Sequence, residues 1–327
     1  MTIPDLPVDP SGSLQWRAMT GADIDGWHRL IQRMAAVDKP VWTETTADLA
    51  EAFDDPANDP AESTAVGLDA DGTVRAVGRV YANAGSPVAH TWGGVDPDWR
   101  RRGIGRALYG WQADCQRRRF KAAGMDGGVL RTSTEEQDPA HNALMAAVGA
   151  TVVRYFTEMT RPLEEIPDAP LPRGFAFVDL DPGDSDAVRL AHNEAFADHW
   201  GSEPRDERRW KTLVQHPETK PEWSMSVVEA ASGETVAYQV ASFDPAFVLQ
   251  SGYDEGFTNL LGVRRPWRGR GLAQSLLAEA MRRFKTGGMA HAGLGVDTEN
   301  PSGALALYTR MGYLPTKRYL DYELPLT

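Results

Sequence analysis

The sequence predicts an α/β protein of the α+β type, built from two copies of one fold. Each copy should be a mixed, mostly antiparallel sheet flanked by helices. Three observations carry this reading. The segment 94–108 recurs as 262–276, 168 positions later, with Gly94/Gly262, Val95/Val263, Trp99/Trp267, Arg100/Arg268, Arg102/Arg270, Gly103/Gly271 and Leu108/Leu276 identical. A period of that length is a domain, not a small repeat. The likeness then continues: Arg118-Arg119-Phe120-Lys121 matches Arg282-Arg283-Phe284-Lys285 at 164 positions, and Gly149 matches Gly312 at 163. The helix after the loop should therefore be four residues longer in the first copy, about one turn, which keeps the same face inward. Finally, hairpin-type connections precede a strand–loop–helix passage in both copies, which argues for antiparallel neighbours.

In the first copy the pattern gives strands over 14–19, 64–68, 74–81, 89–95, 128–132 and 151–161. Helices are expected over 23–37, 104–123 and 139–148, and Asp69, Asp71 and Gly72 make a hairpin turn. The second copy repeats the order, with strands over 176–180, 223–230, 236–243, 257–263, 291–296 and 318–324. Its helices fall over 185–196, 272–286 and 304–311. Pro162, Pro167, Pro170 and Pro172 resist both helix and sheet and mark a linker. The expected division is 1–162, a linker over 163–173, and 174–327.

Composition sets bounds. A chain of 327 residues, 42% hydrophobic and 24% charged, can bury two ordinary cores. A net charge of −12 argues against nucleic-acid binding, which needs a basic face to displace counterions. The single cysteine, Cys115, lies inside a predicted helix, so a packing role is expected and neither a disulfide nor a thiolate metal cluster can form. No metal site is read. No stretch approaches about 18 apolar residues, and the N-terminus has neither a basic nor an apolar targeting region. The expectation is a cytoplasmic monomer or homodimer that spans no membrane.

The duplicated loop is the chemical signal. A strand that feeds a helix through small residues leaves N–H groups open at the helix start, where the helix dipole adds to them. In the second copy this passage is Leu261, Gly262, Val263, then Arg268, Gly269, Arg270, Gly271, Leu272 and Ala273. In the first it is Gly94, Val95, Arg100, Arg101, Arg102, Gly103, Ile104 and Gly105. Glycine permits close approach and unusual φ, and the arginines can add charge at the rim. A P-loop would need Gly-Lys-Ser/Thr, which neither copy has, and a dinucleotide fingerprint would need a third glycine where Leu108 stands.

With its R-x-x-G-x-G/A loop present as Arg100/Gly103/Gly105 and Arg268/Gly271/Ala273, each half resembles the GNAT acetyltransferase superfamily, in which that loop binds the coenzyme A pyrophosphate. The tandem arrangement is similar to mycothiol synthase-like actinobacterial double-GNAT proteins. The resemblance covers nearly the whole chain and implies an acetyl-CoA-dependent N-acetyltransferase acting on a small-molecule amine by direct attack. The alternative is a protein that binds or senses acyl-CoA without turnover. The stretch Asn300-Pro301-Ser302-Gly303-Ala304-Leu305-Ala306-Leu307-Tyr308 resembles the family's second motif. It implies that Asn300 contacts the pantetheine arm and Tyr308 is the general acid; the competing reading of Tyr308 is a half-buried core residue. A phenol of pKa about 10 keeps its proton at neutral pH and can offer it to a leaving thiolate.

In the first copy the counterparts are Gln137 or Asp138 for Asn300, His141 for Ala304 and Met145 for Tyr308, and a thioether donates no proton. The first copy is thus expected to be non-catalytic, either binding acyl-CoA or serving as a scaffold. For the base, the mid-strand position carries Asn259 instead of an acid, which counts against a mycothiol-biosynthetic role and leaves Glu255 and Asp254 as candidates. Backbone N–H groups near Leu261, Gly262 and Val263 would hold the developing oxyanion. Residues 193–201 line either the acceptor pocket or the core.

Overall fold

The computed structural model describes residues 6–7, 12–40, 43–299 and 303–327. The first half forms β1 (Gln15–Arg17), α1 (Ile24–Asp38), α2 (Thr46–Glu51), α3 (Pro60–Ser63), β2 (Thr64–Leu68), β3 (Val74–Ala82), β4 (Val88–Val95), α4 (Ile104–Ala122), β5 (Gly128–Glu135), α5 (Pro139–Ala147) and β6 (Thr151–Pro162). The second forms β7 (Phe175–Asp179), α6 (Asp186–Ala195), α7 (Glu207–Val214), β8 (Met225–Glu229), β9 (Thr235–Ser242), α8 (Pro245–Ser251), β10 (Glu255–Val263), α9 (Leu272–Thr286), β11 (His291–Asp297), α10 (Ala304–Arg310) and β12 (Leu314–Leu326). The strand expected from 223 begins only at Met225, because Pro221–Trp223 closes a 3-10 turn first. Four short helices were not read from sequence. One of them, α7, buries only Trp210 and Val214, an i, i+4 pair too sparse to register as a period.

Contacts group the chain into two compact units: Met1–Tyr155 with Tyr319–Thr327 (unit 1), and Phe156–Arg318 (unit 2). The sheet of unit 1 runs β1-β2-β3-β4-β5-β12, and that of unit 2 runs β7-β8-β9-β10-β11-β6. In each, one pair is parallel (β4–β5 and β10–β11) and the other neighbours are antiparallel. Strand β6 pairs with β11 from Phe156 onward, and β12 pairs with β5 from Tyr319 onward. The strand that closes each sheet therefore comes from the other repeat, so the compact units and the sequence repeats share their cores but not their ends.

The parallel pairs part early. Strand β4 is in register with β5 only over Val88–His90, and β10 with β11 only over Glu255–Thr258. Beyond those points the backbone groups that face the gap have no strand partner. A helix begins just past each gap. In α9 the buried set Leu272, Leu276, Ala280, Met281 and Phe284 follows the helical period and packs on the sheet. Removing one such leucine to alanine costs about 2–5 kcal/mol. Helix α4 has 19 residues and α9 has 15, the four-residue difference expected. Cys115 is buried in α4 with its S–H directed at the Glu62 carbonyl 3.0 Å away, a packing role.

Candidate active site

The two loops share one backbone path. Each leaves its strand through a 3-10 turn, Pro97–Trp99 or Arg265–Trp267. Gly103 and Gly271 precede the helices with φ of 84° and 83°, in the left-handed region that glycine enters without strain. Two residues earlier the backbone is left-handed again, at Arg101 (φ 63°) and Gly269 (φ 77°). The same geometry is thus held by an arginine in unit 1 and a glycine in unit 2. Neither Gly103 nor Gly271 offers a side-chain cap, so the first turns of α4 and α9 present open N–H groups. That is the arrangement a pyrophosphate requires.

Arg100 and Arg268 each donate from Nε to the carbonyl ending the strand, Val95 or Val263, at 3.1 Å. Their remaining groups go to the first helix of the unit: Arg100 forks onto Asp38 at 2.6 and 2.5 Å, and Arg268 donates to the Ala195 carbonyl at 2.8 Å. These arginines are struts that fix the loop. Arg102 and Arg270 donate to the carbonyls of Asp98 and Pro266. All four loop positions 268–271 of unit 2 lie at or near the surface, with Leu272 buried beneath them and Ala273 half-buried. In unit 1, Ile104 is buried likewise and Gly105 half-buried.

Glu255 is the first residue of β10 and is buried. Burial pushes its carboxyl up to about 7; the Thr160 hydroxyl, which donates to it, opposes that rise, and Glu158 adds to it. A Cβ at Gly293 would lie 2.1 Å from the Glu255 Oε1, so only glycine on β11 leaves room for this carboxyl. Tyr253 stands just before the strand, its ring 4.1 Å from that of His291. Asp254 is half-buried, and its carbonyl accepts from the N–H groups of Ala290 and His291 at 3.0 Å. That carbonyl fastens β10 to β11. Of the two candidate bases, the structure buries only Glu255.

Tyr308 lies on α10 and is buried at 9% exposure. Burial pushes the phenol up to about 12. The Tyr313 ring meets it edge-on at 6.2 Å, and Tyr313 in turn feels both Tyr308 and Glu255. Asn300 falls outside the described residues. On β10 the register slips between Thr258 and Leu260, a bulge that leaves Asn259 exposed and bonded to the Ser242 hydroxyl at 3.0 Å. Leu261, Gly262 and Val263 follow on the stretch that has already left β11. Of residues 193–201, Asn193 exchanges hydrogen bonds with the Arg205 backbone and Glu194 pairs with Arg264 at 2.6 Å. Phe196 stacks on His192.

Sequence reasoning missed Thr160, Tyr253 and Gly293, which make the Glu255 environment. Thr160 belongs to β6, which precedes the linker and looks like the end of the first repeat; no local signal assigns it to unit 2.

In unit 1 the corresponding places are filled differently. Strand β4 has eight residues and β10 nine, the bulge accounting for the extra one. Glu255 then corresponds to Val88, which opens β4 as Glu255 opens β10. Met145 takes the place of Tyr308 and is fully buried, and Asp138 caps α5 by accepting from the N–H groups of Ala140 and His141.

A splayed parallel pair that feeds a glycine-opened helix, repeated in two units, defines a class: residues 186–313, within unit 2, match the acetyltransferase (GNAT) family. The chain belongs to that family and is an N-acetyltransferase of the GNAT type. Its relatives are more particular. It is 29% identical to the mycothiol acetyltransferase of Salinispora arenicola over 77% of this chain and 80% of that protein. It is 30% identical to the mycothiol acetyltransferase of Streptomyces bingchenggensis over 70% of each. A tandem GNAT protein from the clavulanic acid biosynthesis pathway has the same fold, with a TM-score of 0.72 and 20% identity, covering 96% of this chain and 99% of that one. No helix among the described residues is long and apolar enough to cross a membrane.

Proposed function

We propose that the chain transfers an acetyl group from acetyl-CoA to the primary amine of a small molecule, by direct attack, with the chemistry in unit 2. The observation that carries this is a buried carboxyl poised near neutrality, Glu255, on the strand that leads into the glycine-opened helix, in the one unit that also keeps Tyr308. Acetyl-CoA supplies an activated acetyl thioester. The N–H groups at the start of α9 hold its pyrophosphate, and those of Leu261–Val263 that face the gap receive the charge developing on the acetyl oxygen. Glu255, as carboxylate, takes the proton the amine loses as its nitrogen bonds to the acetyl carbon, directly or through one water. The C–S bond breaks, and the sulfur receives a hydrogen bond from Tyr308. A phenol at about 12 remains protonated at working pH but gives its proton up reluctantly, so it acts more as a donor to sulfur than as a strong acid.

For the acceptor, the name shared by the relatives puts desacetyl-mycothiol first among amines to try. Asn259 stands where an acid was sought, and Glu255, the acid this reading uses, lies four residues earlier on the strand, about 13 Å along it. The test is release of free CoA thiol by the full chain, with acetyl-CoA and a panel of primary amines that includes desacetyl-mycothiol. Turnover with at least one amine is expected. If acetyl-CoA binds tightly and no amine is acetylated, the protein senses acyl-CoA instead. Turnover of other amines but not desacetyl-mycothiol would remove the mycothiol assignment alone.

A further inference from the structure

Unit 1 contains a cavity of about 380 Å³, a size suited to a small organic ligand. It lies between the α1–α2 segment and the strands β3, β4, β5 and β12, away from α4 and its loop. Trp27, Tyr81 and Trp92 line it together with two guanidiniums, Arg79 and Arg131, and three carboxylates, Glu44, Asp48 and Asp321; Arg131 is paired with Glu323. Its charged groups are incompletely matched. Arg79, on β3, lies over the Tyr81 ring at 4.7 Å. Its Nε is buried without a partner, and the carboxylates that act on its charge, Asp55 and Glu51, do so only weakly against its desolvation. Glu44 accepts from its own backbone N–H and the Trp92 indole, and Asp48, which accepts from the Thr45 N–H and hydroxyl, stands close enough to repel it. Burial lowers the Arg79 guanidinium and raises the Glu44 carboxyl, each disfavouring its own charge. These two opposite charges do not satisfy each other. A half-buried cation and a half-buried anion held apart in one cavity are relieved together by a molecule that carries both charges.

We propose that unit 1 holds a second, non-catalytic binding site for a small zwitterion of amino-acid to dipeptide size, with its anionic group at Arg79, its ammonium at Glu44 and Asp48, and its body against Trp27, Tyr81 and Trp92. The unit offers such a ligand no chemistry, because Val88 and Met145 stand where a base and an acid would be needed. The unit that lost catalysis thus keeps a recognition function.

The experiment is calorimetric titration and thermal melting of the full chain with the twenty L-amino acids and the phenylalanine-containing dipeptides. At least one zwitterion should bind and raise the melting temperature. Its carboxamide and its N-acetyl derivative should each bind at least about 30-fold more weakly, the loss expected when a buried charge is left unpaired. Arg79→Gln and Glu44→Gln should weaken binding to a similar extent while CoA-thiol release persists, which also shows that the variants fold. If Arg79→Gln does not fold, Glu44→Gln with the N-acetyl derivative carries the same comparison. The proposal is overturned if no zwitterion of the panel binds, or if binding survives both substitutions. It is also overturned if binding is lost in Glu255→Gln, which would place the ligand in unit 2.

Discussion

The two units keep one backbone and disagree about what to put on it. Both open a helix through a left-handed glycine, and both tie that loop to the strand end with an arginine. At the junction just past the strand they even invert a charge network. Buried Asp96 accepts from Arg33 and Arg75 at 2.7 and 2.8 Å in unit 1, whereas Arg264 donates to Glu194 and Glu234 in unit 2. Burial alone would raise the Asp96 carboxyl, but the two guanidiniums hold it below the ordinary range. Polarity at that node is free to reverse because only the closure of the network matters. Glu255 against Val88 and Tyr308 against Met145 are a different kind of change. An anion-binding loop is made of backbone N–H groups and survives side-chain drift, while proton transfer needs one atom type in one place and is lost by one substitution.

The largest effect should come from Glu255. Glu255→Gln removes a base, and kcat/KM should fall by about 10²–10⁴-fold. The parent enzyme should gain activity as pH rises through about 7, where the carboxylate forms, and then level off. The variant should have lost that limb. A variant with full activity and an unchanged pH profile removes Glu255 from the reaction. Val88→Glu in unit 1 should create no activity, since no donor faces it there.

The same carboxyl makes a stability prediction. Its ordinary value is 4.5 and folding raises it to about 7, so the folded state holds the proton more tightly. Its contribution is therefore full below about 4.5, declines as pH rises, and is gone above about 7. Glu255→Gln carries no such burden. Relative to the parent it should gain up to about 3 kcal/mol between pH 4.5 and 8, read from urea midpoints at the two pH values. A difference that does not change with pH would mean the carboxyl is not strained by burial.

What was legible in the sequence follows the same division. The duplicated loop, the helix lengths and the strands were readable because glycine placement and apolar period are local. The exchange of β6 and β12 between units was not, because a strand's partner is set by register with distant chain and not by its own residues. Glu255 could be proposed by type and position. Its environment could not be, because Thr160 and Gly293 come from two other strands that meet only in the folded sheet. The cavity of unit 1 was invisible for the same reason, with Glu44, Arg79 and Trp27 on separate elements.

Tyr308→Phe keeps the ring in its contact with Tyr313 and removes only the hydroxyl. A donor held at about 12 stabilises sulfur by a hydrogen bond more than by full transfer, so kcat should fall by about 10–100-fold, at the lower end for acid catalysis. KM for acetyl-CoA should barely move. Met145→Tyr in unit 1 should add nothing, because Val88 remains. If Tyr308→Phe leaves kcat unchanged, the residue is core packing and the acid lies elsewhere.

The smallest effect separates the two loops themselves. Arg268→Ala removes the strut to Val263 and Ala195, so the N–H groups at the start of α9 lose their fixed position. KM for acetyl-CoA should rise about tenfold, the equivalent of about 1.4 kcal/mol, with kcat nearly unchanged. Arg100→Ala removes the fork onto Asp38, a partly exposed pair, and should cost about 1 kcal/mol of stability or less. It should leave KM alone, because the loop it braces serves no transfer. If instead Arg100→Ala raises KM as much as Arg268→Ala does, the coenzyme that turns over is held by unit 1 as well, and the division of labour between the units fails at the loop, where the two look most alike.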